Sequence, residues 1–83
     1  MAKVTLTREA ADGLDDLPLV IHTRALALLE RLADWPEVSG AKPLTGPLAG
    51  HFRLRTGDYR LQFRVEVQTV IVEKIGHRSR FYE

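Results

Sequence analysis

Polar and apolar positions change period twice along the chain. Lys3 to Thr7 alternates, with Val4, Thr5 and Leu6 of strand character, and predicts a short first strand. Thr7 then suits the cap of a helix beginning at Arg8, with Glu9 at its positive end. Gly13 and the Asp15-Asp16 pair predict that this helix is short or broken. Pro18 fits the first turn of a second helix. Along it Ile21, Ala25, Leu28, Leu29 and Leu32 recur every three to four residues, the spacing of one buried face. Leu26 and Ala33 widen that stripe, and Trp35 closes it before Pro36 stops the helix. This two-helix half reads as scaffold, and its apolar stripe needs a sheet to cover.

Residues 36–50 hold three prolines and three glycines and read as loop. Beyond them the period returns to two, in runs at about 51–56, 59–66 and 69–76. The connections Gly57-Asp58 and Val67-Gln68 are short enough for hairpins, so the three runs form an antiparallel meander. Val70-Ile71-Val72 is apolar on both parities, as in a central strand covered on both faces. The fold class is therefore α+β: an N-terminal strand and helical hairpin packed on an antiparallel sheet, in the order β-α-α-β-β-β.

Alternation also sorts the side chains of the meander. Phe52 and Leu54 face one way, with Tyr59, Leu61, Phe63 and Val65; His51, Arg53 and Arg55 face the other, with Arg60, Gln62, Arg64 and Glu66. A two-residue turn at Gly57-Asp58 pairs Arg55 with Arg60, Arg53 with Gln62 and His51 with Arg64. It also pairs Leu54 with Leu61 and Phe52 with Phe63, so both faces agree on one register. Two arginines directly opposite each other cost about 0.2–1 kcal/mol, a repulsion that a polyanion such as RNA or an acidic protein segment relieves. No Glu-His pair can be placed on this face. Glu66 has the right parity but stands at the far end of its strand, and Glu73 reads as a salt-bridge partner.

Composition narrows the class. The 83 residues are 45% hydrophobic and 28% charged with a formal net charge of +1, a globular balance expected to form one domain over 1–83. No apolar stretch approaches the length of a membrane span, and residues 1–7 lack the apolar run of a secretory signal, so an untargeted cytoplasmic protein without a membrane partner is expected. Without cysteine there are no disulfides or thiolate metal sites. The near-neutral total hides a division. Residues 1–49 carry five basic against seven acidic side chains; residues 50–83 carry seven basic against four acidic, and six of those seven are arginine. Arginine's planar fork suits phosphate. In the tail from Gly76 to Glu83, Phe81 and Tyr82 are unexpectedly large aromatics. One is expected to anchor in the core while the other stays available for stacking or proton transfer.

Three segments carry a family resemblance: Lys42-Pro43-Leu44-Thr45-Gly46; Phe52-Arg53-Leu54-Arg55-Thr56-Gly57-Asp58-Tyr59-Arg60; and Gly76-His77-Arg78 with Tyr82 four residues on. Together with the order of elements, they resemble the RelE/ParE toxin superfamily over nearly the whole chain. The resemblance implies a RelE-like toxin of a type II toxin–antitoxin system, an endoribonuclease that cuts mRNA in the 70S ribosome and is silenced by a cognate antitoxin. It implies 2′-hydroxyl attack on the adjacent phosphate, with no metal or other cofactor. Arg60 and Arg78 match the family's phosphate-stabilising arginines and Tyr82 its C-terminal tyrosine. Arg53 falls where active members carry lysine or arginine, and His51 replaces another basic residue. Tyr82 then serves as base, and His51 or His77 as proton donor, since arginine stays protonated. Arg55, Arg64, Lys74, His77 and Arg80 complete the expected RNA-binding surface. Two alternatives stay open: a ParE-like poison of DNA gyrase without ribonuclease activity, and a catalytically silent homologue.

Overall fold

The computed structural model describes residues 2–81, so Tyr82 lies outside the described residues. Strand β1 (Lys3–Leu6) runs into helix α1 (Arg8–Asp15). Thr7 caps that helix as the sequence predicts, its extended backbone letting Oγ1 accept from the Ala10 N–H at 3.2 Å. Gly13 does not break α1; it lies inside it. A Cβ there would stand 2.1 Å from the Ile75 carbonyl oxygen, so glycine is what allows the helix to lie directly on the sheet.

Helix α2 (Leu19–Leu32) follows Pro18 and buries Ala25, Leu28 and Leu32. Leu26 does not widen this buried stripe; it is exposed on the outer face, as are Leu19 and Val20. The loop after α2 contains a two-residue strand, β2 (Lys42–Pro43), and a 3-10 turn at Gly46–Leu48, neither of which shows in its composition. The meander then follows as β3 (His51–Thr56), β4 (Tyr59–Glu66) and β5 (Thr69–His77), and a second 3-10 turn occupies Arg78–Phe81.

The five strands form one sheet in the order β1-β5-β4-β3-β2, so β5 is internal as its sequence predicts. The sheet is antiparallel apart from β1, which joins it as an edge strand parallel to β5, Val4 beside Val70 and Leu6 beside Val72. Parallel pairing requires a long crossover, and the helical hairpin with the rest of the meander supplies it. Helices and sheet enclose a core whose most buried large side chains are Phe63, Leu32, Leu61, Val70 and Val72. Trp35 closes this core edge-on against Phe52 and Phe63, with ring centroids 4.8 and 5.3 Å away. The opposite face of the sheet carries the arginines. Among the described residues no helix is long and apolar enough to cross a membrane.

Candidate nucleic-acid interface

Gly57, with φ of +60°, makes the tight β3–β4 turn and sets the register below it. His51 stands opposite Arg64, Arg53 opposite Gln62 and Arg55 opposite Arg60, while Phe52 and Leu54 meet Phe63 and Leu61 on the core side. This is the pairing the alternation predicts. Lys42, opposite Arg53 on β2, joins the same face. Gly40, Lys42, Arg53, Arg55 and Arg60 line an open cleft of about 480 Å³. Four cationic side chains around one depression make a strongly electropositive site, of the kind that attracts phosphate.

The other half of the face differs from the expectation. Between β4 and β5 the pairing steps from Gln62–Lys74 to Phe63–Val72, which leaves Glu73 as the extra residue of a β-bulge. Val72 and Ile75 both stay buried, and Glu73 and Lys74 between them are brought to the basic face. A structural Glu-His pair results after all. His51 Nδ1 and Glu73 Oε1 are 2.5 Å apart, and Arg64 Nη1 donates to Glu73 Oε2 at 3.0 Å. Arg64 also reaches Glu66, at 3.4 Å. The bulge is tied down from behind, where the Thr7 hydroxyl donates to the Glu73 carbonyl at 3.0 Å. The side chains of His51 and Glu73 are only 24% and 20% exposed. Burial pushes the Glu73 carboxyl upward, but hydrogen bonds from His51 and Arg64 outweigh it and hold the group below its ordinary value. The face thus carries the His51–Glu73–Arg64 cluster at one end and the side chains of Lys42, Arg53, Arg55 and Arg60 around the cleft at the other.

The same bulge shifts the parity of the last residues of β5. His77 pairs with Tyr59, its ring 5.4 Å from the tyrosine ring, on the face away from the arginines. Its Nδ1 is engaged by Ser79. The structure therefore does not bring His77 together with His51, Arg53 and Arg60, although its sequence neighbourhood suggests it. Arg78 begins the 3-10 turn and its backbone N–H donates to the Asp58 carbonyl at 2.8 Å, which sets it at the rim beside the β3–β4 turn. Arg80 lines a second depression with Glu9, Asp12 and Asp16, on the α1 side. Phe81 is not in the apolar core. It is half-buried on the basic face, with Arg53 Cζ 5.6 Å and Lys74 Nζ 4.9 Å from its ring centroid. Lys74 Nζ also donates to the Arg80 carbonyl at 2.6 Å, which pins the turn across the sheet.

Two residues of this surface were absent from the predicted set. Lys42 belongs to one of the family-like segments, but only pairing with β3 shows which way it faces. Glu73 had one signal in the sequence. The buried apolar spacing of two between Val70 and Val72 becomes three between Val72 and Ile75, as an inserted residue requires.

A sheet with its helices on one side and clustered arginines on the other defines a small α+β protein with one strongly basic sheet face. Residues 4–82 match the ParE toxin family of type II toxin–antitoxin systems (parDE), and the chain belongs to that family within the RelE/ParE toxin superfamily. It is similar to Toxin RelG of Mycobacterium tuberculosis, at 42% identity over 43 residues; the match spans 49% of each chain, so it covers about half the length of that relative. The toxin–antitoxin complex RelBE2 from Mycobacterium tuberculosis contains a chain that superposes with a TM-score of 0.80 at 30% identity, over 93% of this chain and 98% of that one. The isolated RelE toxin of E. coli superposes with a TM-score of 0.77, over 93% of this chain and 84% of that one; at 16% identity this is a likeness of fold.

Proposed function

We propose that this toxin is an endoribonuclease that cleaves mRNA by attack of the ribose 2′-hydroxyl on the adjacent phosphate. The observation that carries this reading is the cleft lined by Lys42, Arg53, Arg55 and Arg60 on the face of the sheet away from the helices. In-line attack places two negative charges on the phosphorane oxygens, and preorganised guanidinium groups stabilise charge that develops there. Arg53 and Arg60 are assigned to those oxygens. Arg78, at the rim, is assigned to charge on the departing 5′-oxygen, and Tyr82 to the 2′-proton by the family resemblance. Arg55, Arg64 and Lys74 are assigned to the RNA backbone on either side, whereas Arg80, beside Glu9, Asp12 and Asp16, is not.

The cleft is open to solvent and lies on the sheet surface, and proximity and orientation are a large part of any rate enhancement. A protein that cannot grip its substrate deeply gains most when another body positions the RNA, so the 70S ribosome is the proposed setting. A cognate antitoxin is the proposed inhibitor, through an acidic segment that covers the cationic cleft. The solved RelBE2 relative is itself a toxin–antitoxin complex, which supports that partner.

The family match itself, to ParE toxins, favours a second reading: poisoning of DNA gyrase without RNA cleavage. Induced expression of the wild type and of a Tyr82→Phe, Arg78→Ala double variant, with growth and transcript 5′ ends followed together, separates the two. The ribonuclease reading expects arrest with new in-frame cleavage ends, both lost in the variant. Arrest without cleavage, unchanged in the variant, would transfer the toxin to the gyrase class. No arrest from the wild type would make it a silent homologue.

A further inference from the structure

We infer that Glu73 is a positioning residue that acts through His51, holding it as the general acid that protonates the leaving 5′-oxygen. The inference rests on the ribonuclease reading above and deepens it. Three observations support it. First, the β-bulge leaves Glu73 on the basic face as the extra residue beside Gln62–Lys74, and the Thr7 hydroxyl donates to its carbonyl from the α1 side, which fixes the bulge. Second, both carboxylate oxygens are engaged, one by His51 and one by Arg64, so the plane of the carboxylate and with it the imidazole ring are held in one orientation. Third, an ionised carboxylate can only accept, so Nδ1 of His51 carries the hydrogen in their 2.5 Å contact. The nitrogen left to change protonation is Nε2, which makes no hydrogen bond among the described residues.

His51 is two residues from Arg53 on the same face of β3, about 7 Å along the strand. That is within reach of a phosphate held in the cleft. The charged groups facing the ring are Glu73 from β5, Arg64 from β4 and Arg53 from β3. Glu73 is the one anion among them, and its Oε1 holds the ring through Nδ1 so that Nε2 is the ring nitrogen left for the substrate. In the step itself, the 2′-oxygen bonds to phosphorus and its proton leaves through the base to water. The P–O5′ bond breaks, and the departing oxygen takes the Nε2 proton. The products are a 2′,3′-cyclic phosphate and a 5′-hydroxyl, and neutral His51 regains its proton from water.

A substrate that needs no acid tests this directly. Wild type, Glu73→Gln, His51→Ala and Arg60→Ala are compared on a short mRNA and on the same mRNA with a 5′-bridging phosphorothiolate at the cleavage site, each presented free and on programmed ribosomes. A thiolate leaves without protonation. On ordinary mRNA, kcat should fall about 10- to 100-fold for Glu73→Gln and at least as far for His51→Ala, with KM little changed. On the thiolate substrate both should return to within about threefold of wild type, whereas Arg60→Ala stays impaired on both. Recovery on one substrate also shows that the variants are folded. Equal loss on both substrates, or no loss on either, would overturn the role of Glu73 while leaving the ribonuclease reading intact. Failure of the wild type to cleave either substrate would overturn both.

Discussion

Glu73 sits among hydrogen-bond donors in the folded chain and among water in the unfolded one, and this difference makes stability depend on pH. A carboxyl whose folded value is depressed contributes stability above its unfolded value, here about 4.5, and loses it as pH falls through the folded value. Denaturation followed from pH 7 down to pH 3 should therefore show a steep acid limb in the wild type. Glu73→Gln should be less stable at pH 7 and have a flatter limb. An unchanged slope would mean that other carboxyls carry the acid sensitivity. Val67 is a second residue-scale case. It turns the β4–β5 hairpin with φ of +54° and is 95% exposed, so a β-branched side chain bears left-handed strain with no packing to offset it. Val67→Asn should raise stability by about 1 kcal/mol, seen as a higher Tm with unchanged fold. The pattern placed Val67 in a turn, but nothing in it showed that the turn would be strained.

At the scale of elements, α1 and β5 are held together by two small devices. Gly13 lets the helix backbone approach Ile75, and Thr7 both caps the helix and takes the carbonyl of the bulged residue. Gly13→Val should force α1 off the strand and destabilise the protein by about 1–3 kcal/mol in urea denaturation. Thr7→Ala should cost about 1 kcal/mol through the cap. It should also loosen the bulge, so the amide of Glu73 should exchange faster than those of Val70 and Val72. The alternation of β3 and β4 was legible down to the register because both faces demanded the same pairing. β5 was not, because Val70-Ile71-Val72 is apolar on both parities and hides the change of face that follows.

For the whole molecule, the decisive feature is where the charge collects. The near-neutral chain folds with cations on one sheet face and acidic Glu9, Asp12 and Asp16 on or beside α1 at its edge. Association with a polyanion should weaken with salt, and each arginine removed from the cleft should reduce the slope of log K against log salt by about 1. The antitoxin contact follows the same logic. Reversing charge at Arg53, Arg60 and Arg78 together should weaken antitoxin binding more than tenfold in calorimetry. Unchanged affinity would move the main contact to α2, where Leu19, Val20 and Leu26 form an exposed apolar surface.

What the chain determined by itself was local: the caps, the period of each element, the two-residue turn that sets the β3–β4 register, and the arginine-rich face this creates. These depend on interactions between near neighbours, or on one hairpin in which both faces agree. Only the tertiary structure decided that β1 runs parallel to β5, that Lys42 joins the cleft, that His77 turns away and that Glu73 meets His51. Each depends on one inserted residue or on strands distant in sequence. A single-residue shift reverses every side chain beyond it, and which register wins is decided by burying Val72 and Ile75 together beneath α1.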